Sequence, residues 1–295
     1  MYSVQTPNYA ALVAFLGIVI IGGSNFVAVR FSNFELPPFW GATIRFITAA
    51  ILFFVIIGVK HLSLPRGRAL VGAVLYGALG FGAFYGFVYY ALVGVGAGLA
   101  SVILALVPLT TLFLAYFHRQ ESMGLKGVSG GIISIVGTAL IFNEQLTLAI
   151  PLTSLLGLLG ATFAIAEGSI VLKHFPRANP YSTNAVGLIT GSFILLALSG
   201  VTGEAWIIPS KLNTWMALTY LASLGSVPLV VLYLYVLSRW TASATNYSFV
   251  LIPLVTVMVA MWLAGETVTL IFIAGSTLVL MGVYIGALFE TRQRK

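Results

Sequence analysis

The sequence has no cysteine and no aspartate, and charged residues fill only 7% of its 295 positions. Without cysteine there is no disulfide, no thiolate nucleophile and no Cys-based metal site. Without aspartate, and with no HExxH run, there is no evident carboxylate or histidine cluster for a catalytic metal, and no cofactor is expected. The shortage of charge excludes more. A soluble domain carries roughly 25% charged residues because its surface faces water. Fourteen basic and seven acidic side chains cannot coat a globule of this length. What fills the chain instead is apolar: 60% hydrophobic residues and a mean hydropathy of +1.06. The solvent for most of this protein is lipid.

A bilayer core about 30 Å thick takes about 20 apolar residues in a helix. On that criterion ten segments are predicted, near 9–29, 38–58, 69–92, 98–117, 125–142, 152–173, 181–201, 214–237, 241–263 and 268–289. The breaks carry turn or charge signals such as Pro37-Pro38, Lys60 to Arg68 and Pro176 to Pro180; the break near Val93–Ala97 has no charge. Alternating the loops between two sides puts Lys60, Arg66, Arg68, Arg119, Lys126, Lys173, Arg177, Arg239, Arg292, Arg294 and Lys295 on one side. Arg30 and Lys211 fall on the other, and Arg45 falls within a span. That bias predicts both termini in the cytoplasm. It also disposes of nucleic acid as a partner, because the positive charge follows topology. The first span has no basic stretch before it and is too long for a signal-peptide core, so no cleavage is expected.

The chain also repeats itself. ALVPLTTLFLAYFHRQES, from Ala105, and VLIPLVTVMVAMWLAGET, from Val250, share Pro, Leu, Thr and a closing Glu at an offset of 145. The offset joins Pro108 to Pro253, Glu121 to Glu266, Leu79-Gly80 to Leu224-Gly225, Gly130 to Gly275 and Gly137 to Gly282. Two repeats, 1–146 and 147–295, hold five spans each. An odd number sends the second half into the membrane from the opposite side, as in alternating-access carriers with a site near the midplane. Pro108 and Pro253 each remove a backbone hydrogen bond, disturbing the carbonyls of Leu104 and Phe249. They are candidates for gating kinks, or for static kinks that shape packing. Gly82-x-x-x-Gly86, Gly94-x-x-x-Gly98, Gly127-x-x-x-Gly131 and Gly282-x-x-x-Gly286 predict close helix approaches. Whether these join protomers is not readable.

GGSNFVAVRF in the first span, PPFWGATIRFITAAILFF in the second and the Pro-to-Glu element of each half resemble the EamA-type drug/metabolite transporter superfamily. Within it the chain most resembles bacterial exporters of amino acids, including aromatic ones. The resemblance implies a basket of ten helices around a central cavity, a bacterial inner-membrane location, and spans five and ten packed away from the substrate path. Family members carry amino acids, drugs, metabolites and sugar phosphates. Phosphate carriers are expected to place several basic residues in the cavity, and here only Arg45 lies within a span.

Polar groups inside spans are costly and mark cavities or helix contacts. Arg45, about 10 Å into the second span, reads as a structural charge that snorkels or holds carbonyls of neighbouring helices. Glu167 lies about 9 Å from the cytoplasmic end of the sixth span. It is a candidate for a substrate ammonium or a coupling proton, against an interfacial Glu paired with a basic residue. Phe81, Tyr85 and Tyr89 form an aromatic stripe at four-residue spacing, and two phenols in a membrane need polar partners. Asn25, Ser101, Asn246 and Tyr247 complete the candidates for substrate contact, Ser101 and Asn246 being repeat equivalents.

An intramembrane enzyme is the first rival. Gly127-Val128-Ser129-Gly130-Gly131 fits G-x-S-x-G, which demands a nearby base. The histidines His61, His118 and His174 all fall in predicted loops, and the repeat partner of Ser129 is Ala274. Packing glycine explains the motif better. No channel filter and no receptor-like soluble domain is evident. The expectation is an all-α membrane protein exporting small organic solutes, with neutral or aromatic amino acids as the expected cargo, by alternating access. The alternative is a proton-coupled drug or metabolite exporter, in which Glu167 carries the proton.

Overall fold

The computed structural model describes residues 9–120, 124–147, 151–265 and 268–285. Glu121, Glu266, Gly286 and the basic residues Arg292, Arg294 and Lys295 lie outside them. Among the described residues eight helices are long and apolar enough to cross a membrane. They are α1 (Tyr9–Asn33), α2 (Pro38–Val59), α3 (Arg68–Gly94), α4 (Ala97–Phe117), α6 (Leu152–His174), α7 (Pro180–Val201), α8 (Leu212–Leu237) and α9 (Ala244–Ala264). Two more, α5 and α10, have shorter apolar stretches, Leu125–Ile141 and Leu270–Val283.

These segments are apolar on every face, which is the signature of a helix with lipid on one side and protein on the other. Pro38 and Pro180 open α2 and α7, where the missing N–H costs nothing. Asn179 caps α7 by accepting from the Tyr181 N–H, and Thr269 caps α10 by accepting from that of Phe272. Large side chains such as Ile51, Phe193 and Trp262 stand exposed around the outside, Trp262 at 83%. In water such a surface is a liability; against lipid it is solvated.

Inside, α1 packs on α8 and α9, α6 on α3 and α4, and α2 along α7, while α5 and α10 pack chiefly on each other. Small residues set the closest crossings. A Cβ on Gly137 would sit 2.7 Å from the Gly275 carbonyl oxygen, and one on Gly282 would strike the Gly130 carbonyl and Ser134. Gly131, by contrast, meets open space. The α5–α10 contact therefore uses Gly130 and Gly137, and not the Gly127-x-x-x-Gly131 pair that spacing suggests.

Four spans are irregular near their middles. In α3, residues Gly77–Ala83 form a π-helical stretch. At the equivalent place α8 breaks over 223–226, between Leu212–Ala222 and Val227–Leu237. α4 breaks at 105–106, with Pro108 in the first turn of the helix that follows. α9 bends at Tyr247, between Ala242–Asn246 and Ser248–Ala264, and Pro253 lies inside the latter helix. The two prolines are equivalent in sequence but not in geometry. The first sits just beyond a break, while the second is carried within a continuous helix whose bend lies six residues upstream.

Candidate functional site

A cavity of about 70 Å³ lies between α1, α2, α3, α6, α8 and α9. Its walls are aromatic and aliphatic: Tyr76, Phe81, Phe84 and Tyr85 from α3, Tyr233 from α8 and Phe249 from α9, with Ile18, Ile165 and Ile252 between them. Its polar groups are few, the pattern expected of a small-molecule site. Asn25 and Arg45 supply the amide and the charge. The π-helical stretch of α3 explains one wall. It places residues five apart on one face, so Tyr76 joins the stripe of Phe81 and Tyr85. The Tyr76 and Phe81 rings meet edge-on at 5.4 Å, and those of Phe81 and Tyr85 stack at 6.2 Å. Regular four-residue spacing misses Tyr76. The signal was the glycine density of Gly77, Gly80 and Gly82.

Arg45 is wholly buried. Its Nε donates to Ser226 Oγ at 3.0 Å, one terminal nitrogen to the Gly225 carbonyl at 2.9 Å and the other to the Tyr89 hydroxyl at 3.4 Å. Phe46 and Tyr85 cover its guanidinium, with ring centroids 4.8 and 4.9 Å from Cζ. The Gly225 carbonyl is available because α8 is broken there. The same carbonyl accepts from Asn25 Nδ2 at 2.8 Å. One break in α8 is thus gripped by α1 and α2 together.

The other candidate residues lie elsewhere. Tyr89 binds Arg45 and does not line the cavity. Ser101 Oγ donates to the Gly98 carbonyl of its own helix at 2.7 Å. Asn246 is a buried hub: it accepts from the Tyr233 hydroxyl at 2.7 Å and donates to Thr111 Oγ1 and Ser169 Oγ at 2.8 and 3.1 Å. It ties α9 to α8, α4 and α6. Tyr247 is buried at the bend of α9 and, like Asn246, is not part of the cavity wall. Glu167 pairs with His118 at 3.0 Å, both side chains part-exposed, and so stands apart from Arg45. Ser129 donates to the Lys126 carbonyl within its own helix.

The two ends of the bundle differ. At one, Glu204 accepts from the N–H groups of Phe39 and Trp40 at 3.0 and 2.7 Å, capping α2 from the α7–α8 connection. Glu35 does the reverse from the α1–α2 connection, accepting from the Ser210 N–H and hydroxyl, each at 2.6 Å, and from the Lys211 N–H at 3.2 Å. Hydrogen bonds from the Ser210 and Thr214 side chains, together with the Ser210 and Lys211 N–H groups, hold its carboxyl down to about 2. Trp40 stacks on Trp206 at 5.5 Å over the same closure and donates to the Ile207 carbonyl. At the other end a cleft of about 720 Å³ opens between α6, α7 and α8, lined by Gln120, Lys173, His174, Arg177, Thr183 and Arg239 among others. One face is latched and the opposite face is open.

An apolar helical bundle around a small aromatic cavity, latched at one end and cleft at the other, is the form of a membrane transporter. The model of the EamA-like transporter family matches residues 8–143 and again 152–287, and the chain belongs to that family. It is 29% identical over 265 residues to the uncharacterized inner membrane transporter YedA of Escherichia coli, covering 89% of this chain and 85% of that one. A probable amino-acid metabolite efflux pump of Salmonella typhimurium is 27% identical over 293 residues, 94% of each chain. A crystal structure 16% identical in sequence superposes with a TM-score of 0.68 over 96% of this chain and all of the other, which is a likeness of fold alone. This is a multi-span membrane protein of a transporter family.

Proposed function

We propose that the chain exports small neutral or aromatic amino acids, moving them by alternating access between two inverted five-helix halves, 1–146 and 147–295. The observation that carries this reading is the cavity itself: aromatic walls for an apolar side chain, with the amide of Asn25 and the guanidinium of Arg45 among its lining. A single guanidinium does not suit a phosphorylated cargo. The amino-acid metabolite efflux pump among its relatives supports the same class of substrate.

The halves are supported by the α5–α10 crossing. An offset of 145 turns the Gly137–Gly275 contact into Gly282–Gly130, which is the other contact at that crossing. A twofold relation requires this. The ten-span count and inverted topology rest on that exchange, on the double family match and on the side-to-side bias of basic residues. With both termini cytoplasmic, the latched face of Glu35 and Glu204 is external and the open cleft faces the cytoplasm. Cargo enters through the cleft and moves to the cavity. The breaks of α4 and α8 and the bend of α9 then let the cytoplasmic mouth close as the external latch releases.

The test is release of labelled solutes from liposomes containing the purified protein. The panel holds neutral and aromatic amino acids, a cationic drug and a sugar phosphate, each with and without a pH gradient. Amino-acid release is expected; release of the drug alone would overturn the reading. A second reading, proton coupling, is favoured by the solvent-reachable Glu167–His118 pair. Gradient-dependent release that is lost in Glu167→Gln would support it, and gradient-independent release would remove it.

A further inference from the structure

The proposed cargo class leaves open how the cavity would recognise an amino acid as such. Arg45 carries a charge in the membrane interior, wholly buried, and among the described residues no carboxylate pairs with it. A buried charge without a counter-ion is expensive even when dipoles surround it. Three of its five N–H groups make hydrogen bonds, one of them only at 3.4 Å, and the Tyr85 hydroxyl lies close by. Asn25 has the complementary deficit. It is 5% exposed at the cavity wall, and its Oδ1 is buried with no donor. The amide orientation is not arbitrary, because the atom facing the Gly225 carbonyl at 2.8 Å has to be the donor nitrogen. Arg45 and Asn25 share that one carbonyl as acceptor. The guanidinium and the amide therefore converge on one carbonyl at the cavity wall, one bringing donors and the other an unpartnered acceptor.

Resting on the amino-acid reading above, we propose that Arg45 and Asn25 form a clamp for the α-carboxylate and α-ammonium of the cargo. The carboxylate takes the guanidinium donors, displacing the Gly225 carbonyl, because a charged acceptor makes the stronger hydrogen bond. The ammonium donates to Asn25 Oδ1. The side chain lies against Tyr76, Phe81 and Tyr85. Arg45 is thus a specificity residue and not only a helix tie. Its exchange from Gly225 to cargo loosens the grip of α2 on the break of α8, so that occupancy is felt at the gate.

The test is calorimetric binding to the full-length protein of L-phenylalanine, phenethylamine, which lacks the carboxylate, and 3-phenylpropionate, which lacks the ammonium. The wild type is expected to bind phenylalanine about tenfold or more tightly than either analogue, since each lost charged hydrogen bond is worth at least that. Arg45→Gln should bring phenylalanine down to the level of phenethylamine while phenethylamine itself is unchanged. Asn25→Asp sets a carboxylate beside Arg45 and should shift preference from phenylalanine to phenethylamine. A purely structural Arg45 would weaken all three ligands alike, and that result overturns the clamp. If Arg45→Gln does not fold, Asn25→Asp decides alone, and an unchanged phenylalanine-to-phenethylamine ratio refutes the proposal. Phenylalanine binding without discrimination sinks the clamp and leaves amino-acid export standing. A wild type that binds and releases no amino acid sinks both.

Discussion

Asn246 shows what a polar side chain inside a span can be for when it is not for cargo. Each of its donors and its acceptor oxygen has a partner, and the partners sit on three other helices. Thr111 and Ser169 also donate within their own helices, to the carbonyls of Val107 and Ala166. Without Asn246, the Tyr233 hydroxyl would lose its 2.7 Å acceptor and keep only the neighbouring Ser169 side chain within reach. Asn246→Leu is therefore expected to weaken the hydrogen bonding of one buried phenol, at about 0.5–1.5 kcal/mol, read as a lower melting temperature in detergent. Tyr233→Phe in the same chain should recover part of that loss, because removing both partners of a buried bond costs less than removing one. A double variant no more stable than Asn246→Leu would contradict the assignment. The sequence made every one of these polar residues visible and left their directions hidden. A helix that is apolar all round has no polar face from which to read rotation, so Asn25 and Asn246 look alike until neighbouring helices are placed. Arg45 was visible as a charge within a span, to be read as snorkelling or as holding carbonyls; its place at the cavity wall was hidden.

Among the elements, the span ends were readable because Pro37-Pro38, Pro180 and the basic loops punctuate them. The interior irregularities were not. Pro108 marks its break to within three residues, but the bend of α9 falls at Tyr247, where no proline signals it. The π stretch of α3 hid Tyr76 from a count by fours. Nothing in the sequence singles out Glu35 and Glu204, since their partners lie more than 160 residues away in the chain. Each carboxylate supplies acceptors to N–H groups at or before a helix start, where the dipole favours negative charge. The pH dependence of this latch has a definite sign. With its folded value held at about 2 against an ordinary 4.5, Glu35 contributes its full stabilisation above 4.5. That contribution fades as pH falls from 4.5 toward 2. Thermal unfolding followed across this window should show a decline that Glu35→Gln lacks. Parallel curves for the two proteins would place the latch elsewhere.

For the whole molecule, the absence of cysteine is an experimental gift: any thiol introduced is unique. Leu229 lines the cavity from α8, beside the break, and lies outside the polar clamp. In a Leu229→Cys chain held in oriented vesicles, a membrane-impermeant thiol reagent should react from the cytoplasmic side and only slowly from outside. On the proposed transport cycle the cleft is the way in, and the Glu35, Glu204 and Trp40–Trp206 closure covers the other end. Removing both carboxylates, as Glu35→Gln with Glu204→Gln, leaves the helices and their apolar contacts in place. It deletes the charged acceptors for four backbone N–H groups, those of Phe39, Trp40, Ser210 and Lys211. A closure held by charge-assisted bonds of this kind loses roughly tenfold in its equilibrium constant for every 1.4 kcal/mol removed. Reactivity from outside should therefore rise several-fold, while reactivity from the cytoplasm falls as the populations shift together. The coupling of the two changes is what alternating access demands and a simple leak does not. A rise outside with no fall inside would mean a pore, and equal reactivity from both sides of the unaltered chain would mean that the latch does not close.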